Sequence, residues 1–249
     1  MDETVLGGGN ASGRVVKVGH TVRKPWAAST PSVVSYMAAL RDAGVDLPAV
    51  VGRDERGRLA TEYVPGQLAI DRFPLRRDEL RRVGAMVRAI HDASTSFRPP
   101  ADAVWTTAIP APDGEMVCHN DLAPWNLIVG ERWVFIDWDA AAPSTRLWDL
   151  AYAAQAFCVN DPGRAPSDAA LDLVAFVDGY DADAELRADL PTAMNDRALA
   201  MYRLLESSAR SGREPWASMF TDDHGRHWQD ASAYVGRHRD VWAVALSRA

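Results

Sequence analysis

The sequence predicts an α+β fold in two parts, a small β-rich N-terminal lobe and a larger helical C-terminal lobe. Two observations carry this prediction. Residues 1–64 contain short apolar β-type runs broken by glycine and charged turns, whereas the chain from Leu80 onward places apolar residues at helical spacing. The Pro65-Gly66 pair separates the two patterns. We therefore expect one lobe over residues 1–64 and the other over residues 65–249.

The N-terminal elements follow from local patterns. Residues 15–18 and 21–23 are brief β-type runs joined at Gly19-His20, which predicts a hairpin. Pro31 follows Ser29-Thr30 and precedes apolar residues at helical spacing, so a helix is expected up to Gly44. Two further strands are predicted over residues 49–51 and 59–64.

The C-terminal elements begin with an amphipathic helix whose apolar stripe runs from Leu80 to Ile90. The proline-rich piece over residues 98–113 is expected to be a loop. Three short apolar strands are then predicted at residues 116–118, 127–129 and 133–136. From Leu147 onward helical patterns alternate with polar breaks such as residues 160–163.

Composition excludes several classes of function. Asp and Glu outnumber Lys and Arg by 34 to 27, for a net charge of −7, which argues against a nucleic-acid partner. The two cysteines, Cys118 and Cys158, form no CxxC pair, and no apolar stretch approaches the roughly 20 residues of a membrane span. The acidic N-terminus is unlike a secretory signal. A cytoplasmic protein without a membrane partner is expected.

The strongest motif is the segment from His119 to Asn126, an HxDxxxxN pattern preceded by an apolar strand. A second apolar strand ends at Asp137. Phosphoryl transfer needs a carboxylate that orients the attacking hydroxyl and accepts its proton, and Asp121 is suited to that role. It also needs oxygen ligands for Mg²⁺, which Asn126 and Asp137 offer. The alternative is that these are ordinary turn residues.

With these residues the chain resembles the aminoglycoside phosphotransferases and their choline-kinase-like relatives, which share the protein-kinase-like fold. The resemblance also rests on Ile136-Asp137-Trp138-Asp139 and on the segments at residues 7–13, 62–66 and 147–151. It extends over nearly the whole chain and is strongest to an actinobacterial-type branch. It implies that Asp121 is catalytic and that Asn126 and Asp137 hold Mg²⁺. ATP or GTP is the implied phosphate donor.

The resemblance also implies a nucleotide site in the N-terminal lobe. The glycine-rich segment would cover the nucleotide through Gly8, Gly9 and Ser12, since glycines let backbone N–H groups approach phosphates. The carbonyl of Glu62 and the N–H of Val64 would hold the base.

Arg23 occupies the place of the cation that reaches the phosphates in the family, with Lys17 and Lys24 as alternatives. In the family this cation pairs with a glutamate of the next helix. No acidic residue lies between Pro31 and Arg41, so the sequence departs from the family here.

Residues around the motif have supporting roles in the same resemblance. Asp149 would brace the catalytic loop, although an acid at a helix start is also favoured by the helix dipole alone. His119 is expected to hold the loop by packing and hydrogen bonds. Trp125 and Trp138 belong either to the core or to the wall of the acceptor site. His224 and His227 are read as exposed polar residues near a helix start.

The expected activity is transfer of a γ-phosphate to a hydroxyl of a small molecule, in a monomer or weak dimer. An aminoglycoside or similar antibiotic is the favoured acceptor. A metabolic acceptor (choline, homoserine, a sugar or an amino alcohol) and a catalytically silent nucleotide-binding protein are the alternatives. A cationic acceptor would need carboxylates in the helical lobe, for which the candidates are Asp139, Asp161, Glu206, Asp222 and Asp223.

Overall fold

The computed structural model describes residues 3–7 and 14–247. Near the N-terminus it contains a five-stranded antiparallel sheet with the strand order β1-β2-β3-β5-β4. Its strands are β1 (Glu3–Val5), β2 (Val16–Val18), β3 (Thr21–Lys24), β4 (Val50–Arg53) and β5 (Leu59–Glu62). Helix α1 (Thr30–Asp42) connects β3 to β4.

Glycines with positive φ make the two tight turns of this sheet. Gly19 (φ +58°) lies between β2 and β3, and Gly57 (φ +75°) lies between β4 and β5. Both angles are in the left-handed region, where a residue without a Cβ is favoured. The hydroxyl of Thr21 also donates to the Val18 carbonyl at 2.7 Å and closes the first turn.

Two smaller sheets carry the HxDxxxxN segment. One has the order β6-β8-β9, and the other pairs β10 with β7. Their strands are β6 (Gln67–Leu68), β7 (Met116–Cys118), β8 (Leu127–Val129), β9 (Trp133–Phe135) and β10 (Ala142–Ser144). The loop between β7 and β8 holds residues 119–126, and Asp137 follows the end of β9, so the sheets bring these two segments side by side.

Apart from the connecting loops, the remainder of the described chain is mainly helical. Its helices are α2 (Arg77–Ser94), α3 (Arg146–Cys158), α4 (Pro166–Tyr180), α5 (Ala184–Ser211), α6 (Trp216–Met219), α7 (Gly225–Arg237) and α8 (Arg239–Ser247). None of the helices described is both long enough and apolar enough to cross a lipid bilayer.

Helices α2 and α4 cross at unusually short range because each contributes a glycine. A Cβ added at Gly84 would collide with the Phe176 carbonyl oxygen, and one added at Gly179 would collide with the Arg81 carbonyl oxygen. The close approach also brings the end of α2, which carries His91, beside Tyr180 at the end of α4.

The predicted fold class is confirmed, since a small antiparallel sheet precedes a mainly helical remainder. The predicted strands, the helix over residues 31–43 and the loop at residues 98–113 all occur. The two-residue strand β6 and strand β10 were not predicted, because each is too short to show a periodic pattern and β10 contains Pro143. The division at residues 64 and 65 remains a prediction.

Candidate functional site

The loop between β7 and β8 turns sharply at Asn120. Its φ of +64° lies in the left-handed region, which asparagine tolerates better than most residues. The Asn120 amide donates to the carbonyls of Ala140 and Ala142, each at 3.2 Å. A second left-handed residue, Asp137 (φ +60°), follows β9. Both of the segments that build the candidate site therefore contain a residue with left-handed backbone geometry.

His119 holds the loop through hydrogen bonds to the backbone. Its side chain is fully buried, with Nε2 donating to the Ile136 carbonyl at 3.2 Å and Nδ1 accepting the Asp121 N–H at 3.3 Å. These partners require the neutral ring protonated at Nε2. Burial lowers the pKa of His119, which favours this form. The geometry agrees with the predicted bracing role.

Asp121 and Asn126 are joined directly. The Asn126 amide nitrogen donates to the Asp121 carboxylate at 2.7 Å and to the Asp121 carbonyl at 3.0 Å. Because the nitrogen faces Asp121, the amide oxygen of Asn126 is the atom left to accept or to bind a cation. Burial, followed by the charge of Asp137, raises the pKa of Asp121 to about 7. A carboxyl group with this pKa can exchange a proton near neutral pH.

Lys24 crosses from β3 to the carboxylates after β9. Its ammonium lies 3.2 Å from Asp137 and 2.5 Å from Asp139. Burial alone would lower the pKa of Lys24, but the charges of Asp137 and Asp139 outweigh it and raise that pKa. One cation, two carboxylates and the Asp121–Asn126 pair thus meet in one place.

This position corrects the expected choice of Arg23. Successive residues of a strand point to opposite faces, and in β3 Val22 and Lys24 line the cleft. The guanidinium of Arg23 instead approaches Asp54 at 3.9 Å. Lys17 also points elsewhere, with its ammonium 3.7 Å from the centre of the Tyr63 ring. Of the three candidate cations, Lys24 is the one that contacts Asp137 and Asp139 in the described part of the chain.

The absence of an acid in the first part of α1 has a structural counterpart. The buried face of α1 is largely apolar and includes Val33, Met37 and Leu40. Lys24 takes its partners from Asp137 and Asp139 instead of from the helix.

A cavity of about 300 Å³ opens beside Lys24 and extends to the strand end where the base was predicted. Glu62 and Val64 both line it. The Glu62 side chain is held by Arg132 at 2.5 Å and by the Ala49 N–H at 3.0 Å, and its own N–H donates to the Ala49 carbonyl at 2.8 Å, so its carbonyl is the part left for a ligand. Apolar side chains form most of the remaining wall: Val15, Val22, Leu59, Leu68, Ile128 and Ile136. Gly8, Gly9 and Ser12 lie outside the described residues.

A buried polar chain ties the catalytic loop to the helices. One Asp149 carboxylate oxygen accepts the Asn120 N–H at 2.8 Å, and the other lies 3.0 Å from Nε2 of His91. Nδ1 of His91 lies 2.8 Å from the Tyr180 hydroxyl. Asp149 is 1% exposed and His91 is 0% exposed. The predicted bracing role of Asp149 agrees with this geometry, whereas the parts played by His91 and Tyr180 were missed.

The side of the loop away from the nucleotide cleft is aromatic. Tyr152 lies beside Asp121, whose pKa it lowers, and stacks on Trp228, with ring centres 6.3 Å apart. Trp125 is partly exposed and lies between the cleft and Tyr152. Trp138, in contrast, is buried against His119 with ring centres 4.5 Å apart, and it belongs to the core.

The acids predicted to receive a cationic acceptor do not gather beside Asp121. Asp139 pairs with Lys24, and Asp161 accepts the N–H of Gly163 within its own turn. Glu206 lies on α5 with Tyr202 and Arg210, and Asp222 and Asp223 are exposed at a helix kink. The polar groups that act on Asp121 are the carboxylate of Asp137, the Tyr152 phenol, the Asn126 amide and the guanidinium of Arg197.

The histidines of the C-terminal helices do not form a metal site. Within residues 3–7 and 14–247, the sole group with suitable spacing is His91, Cys118 and Asp149. His91 and Asp149 already bond each other, and burial raises the pKa of the Cys118 thiol, which disfavours the thiolate that a metal needs. His227 only approaches the Asn160 side chain, at 3.2 Å.

Comparison with known proteins supports the predicted resemblance. Residues 102–189, which include the catalytic loop, Asp137 and Asp149, match the model of the Phosphotransferase enzyme family. The trifolitoxin immunity protein of Rhizobium leguminosarum bv. trifolii is 31% identical over 161 residues. That alignment spans 61% of this chain and 60% of the immunity protein.

Solved structures share the whole fold at low sequence identity. A choline/ethanolamine kinase family protein from Mesorhizobium loti superimposes with a TM-score of 0.66 at 16% identity, covering 100% of this chain and 93% of its own. A microcompartment-associated aminopropanol kinase gives 0.67 at 18% identity, covering 98% and 94%. The amicoumacin kinase hAmiN, solved with AMP-PNP, Ca²⁺ and Ami, gives 0.70 at 13% identity, covering 93% and 88%.

These matches show which proteins the chain resembles in its fold. The fold is protein-kinase-like, and the predicted resemblance to the aminoglycoside phosphotransferases and their choline-kinase-like relatives is confirmed. At these identities the solved structures establish the fold alone. The chemistry must be argued from the residues of this chain.

Proposed function

We propose that this protein transfers the γ-phosphate of ATP or GTP to a hydroxyl group of a small molecule. One observation carries the proposal: the Asp121–Asn126 pair faces Asp137, and Lys24 joins Asp137 from the other side. A base, two oxygen ligands and a cation are the parts that phosphoryl transfer uses.

In this proposal Asp121 orients the acceptor hydroxyl and takes its proton. The acceptor oxygen forms a bond to the γ-phosphorus while the bond from that phosphorus to the β–γ bridging oxygen breaks. The products are a phosphate ester and a nucleoside diphosphate. Most of the rate enhancement comes from positioning and charge stabilisation, so the aim of the Asp121 carboxylate matters as much as its basicity.

The residues fit a hard divalent cation. The free amide oxygen of Asn126 and the carboxylate of Asp137 are both oxygen donors, which Mg²⁺ prefers, and no thiolate or imidazole faces them within the described residues. Bound Mg²⁺ would neutralise charge on the phosphates. Lys24 would turn from the two carboxylates toward the phosphate oxygens.

The acceptor that we favour is an antibiotic or toxin with a hydroxyl group. The 31% identical relative is named as an immunity protein, which supports a protective role. The aromatic surface beside Asp121 and the dispersed acids favour an acceptor with an apolar face over a polycationic aminoglycoside. A metabolic amino alcohol or sugar is the second candidate, since a small polar acceptor also fits beside an amide and a phenol.

Transfer of radioactive phosphate tests the proposal and its rivals. The purified protein is incubated with γ-labelled ATP or GTP, Mg²⁺ and separate groups of acceptors: hydroxylated apolar antibiotics, aminoglycosides, amino alcohols, homoserine and sugars. We expect label in a member of the first group. Label in an amino alcohol, homoserine or a sugar alone would instead identify a metabolic kinase. Tight nucleotide binding with neither transfer nor hydrolysis would identify a silent nucleotide-binding protein.

A further inference from the structure

Arg197 is a buried cation beneath the catalytic loop. It lies in the middle of α5 and is 5% exposed. Its Nη2 donates to the carbonyl of Asn120 at 3.3 Å. Asn120 is the left-handed residue immediately before Asp121, so a group that binds its carbonyl acts on the backbone that aims the Asp121 carboxylate.

No carboxylate neutralises this guanidinium at contact distance within the described residues. Its Nη1 is buried without a protein hydrogen-bond partner in the same part of the chain. Burial lowers the pKa of Arg197, which expresses the cost of holding the charge there. A buried cation without a paired acid is destabilising, and such departures from good packing are expected where function requires them.

The groups around Arg197 lead to Asp121. The guanidinium lies over the Tyr152 ring at 4.2 Å from its centre and over the Trp148 ring at 5.8 Å. Cations are attracted to aromatic faces, and the attraction is strongest where water is excluded. The same Tyr152 lies beside Asp121 and lowers the pKa of that carboxyl group. Arg197 therefore reaches the reacting carboxylate by two routes, through the Asn120 backbone and through the Tyr152 ring.

We propose that Arg197 is a positioning residue for phosphoryl transfer, holding the Asn120 carbonyl and the Tyr152 ring so that Asp121 faces the acceptor. This inference rests on the proposed function. It assigns Arg197 no contact with the nucleotide, because the residues lining the cleft cavity do not include it. The effect of losing Arg197 should therefore fall on turnover and leave nucleotide affinity unchanged.

Three variants test the role: Arg197→Met, Arg197→Lys and, as control, Arg203→Met, which removes an exposed arginine from the same helix. Calorimetry gives the number of nucleotide-binding sites and the Kd for Mg-nucleotide. Turnover is then expressed per binding site, with the best acceptor or with water. A thermal melt reports folding. A purely structural role would lower the melting temperature and the number of sites without changing turnover per site.

We expect turnover per site to fall about tenfold or more in Arg197→Met, with the nucleotide Kd changed by less than about twofold. Arg197→Lys should fall less, because an ammonium keeps the charge but cannot cover the ring and bind the carbonyl together. Arg203→Met should match the wild type. Wild-type turnover per site in folded Arg197→Met would overturn the inference alone. No turnover in the wild type would overturn the proposed function itself.

If Arg197→Met does not fold, the positioning role of Arg197 is tested with Arg197→Lys and Tyr152→Phe instead. Tyr152→Phe keeps the ring beneath the guanidinium and removes only the hydroxyl that reaches Asp121. A fall of about threefold or more in turnover per site is expected in both folded variants. Wild-type turnover in both would overturn the role of Arg197.

Discussion

The catalytic loop and Lys24 face each other across one site but are held by different kinds of partner. The loop is held by groups that take no part in the proposed chemistry. His119 bonds to the Ile136 carbonyl, Asp149 accepts the Asn120 N–H and also bonds to His91, and Arg197 donates to the Asn120 carbonyl. Lys24, in contrast, is held by Asp137 and Asp139, and Asp137 is itself a proposed metal ligand.

The different partners of the loop and of Lys24 indicate which part of the site has its final geometry before substrate binds. A loop held by several buried hydrogen bonds keeps its geometry whether or not substrate is bound. A lysine paired with metal ligands must exchange partners when the metal and the phosphates arrive. We infer that the helical side of the site is preorganised and that the Lys24 side is completed by the nucleotide.

The largest effect is expected on stability, when Asp149 loses its hydrogen bonds to the Asn120 N–H and to His91. Asp149→Ala leaves the Asn120 N–H and one His91 nitrogen buried without their partner. Each unpaired buried group costs about 1–3 kcal/mol, so the free energy of unfolding should fall by about 3 kcal/mol. Denaturant melts measure this fall. Asp168→Ala, which removes an exposed acid from the first turn of α4, is the control and should change stability by less than about 1 kcal/mol. Equal losses in the two variants would contradict the bracing role.

Removing the metal tests the side of the site that contains Lys24, Asp137 and Asp139. With EDTA present, nucleotide affinity should fall by about tenfold or more, because the phosphates would then face Asp137 and Asp139 without a neutralising ion. Titration calorimetry with Mg²⁺, Mn²⁺ or EDTA measures the change. Mn²⁺ should replace Mg²⁺. Equal affinity in all three conditions would argue against Asn126 and Asp137 as metal ligands.

A smaller effect on nucleotide binding is expected from replacing Lys24. Lys24→Met should weaken Mg-nucleotide binding by about fivefold to tenfold, since one charge-assisted contact to phosphate is lost. Arg23→Met, its neighbour on the opposite face of β3, should bind nucleotide like the wild type. Both variants are compared by the same calorimetric titration. The reverse ranking would restore Arg23 as the phosphate-binding residue and reject the side-chain directions described above.

Sequence reasoning could group the candidate residues that are close to one another in the chain. His119, Asp121 and Asn126 lie in one loop, and flanking apolar strands marked its ends. It failed to choose between Arg23 and Lys24 because a shift of one residue in a short strand reverses the faces of both. The pairing of Lys24 with Asp139 was also invisible, since it joins residues more than a hundred positions apart.

The buried residues that hold the loop could not be predicted from the sequence for the same reason, because they are far apart in the chain. His91, Asp149, Tyr180 and Arg197 come from four helices, and their contacts depend on how those helices cross. One signal was present: Arg197 interrupts an apolar stripe on α5 that contains Leu190, Met194, Met201 and Leu205 at helical spacing. A charged residue within such a stripe predicts a buried cation with a specific partner.

The central claim is that Asp121 is the catalytic carboxylate, and the pair Asp121→Asn and Asp137→Asn tests it most directly. Asp121→Asn keeps the size of the side chain and removes the proton acceptor, so turnover should fall about 10²-fold or more while Mg-nucleotide affinity changes little. Asp137→Asn should weaken Mg-nucleotide binding as well as turnover. Steady-state kinetics with calorimetry, on variants that circular dichroism shows to be folded, measures both quantities. A folded Asp121→Asn protein with near wild-type turnover would contradict the account.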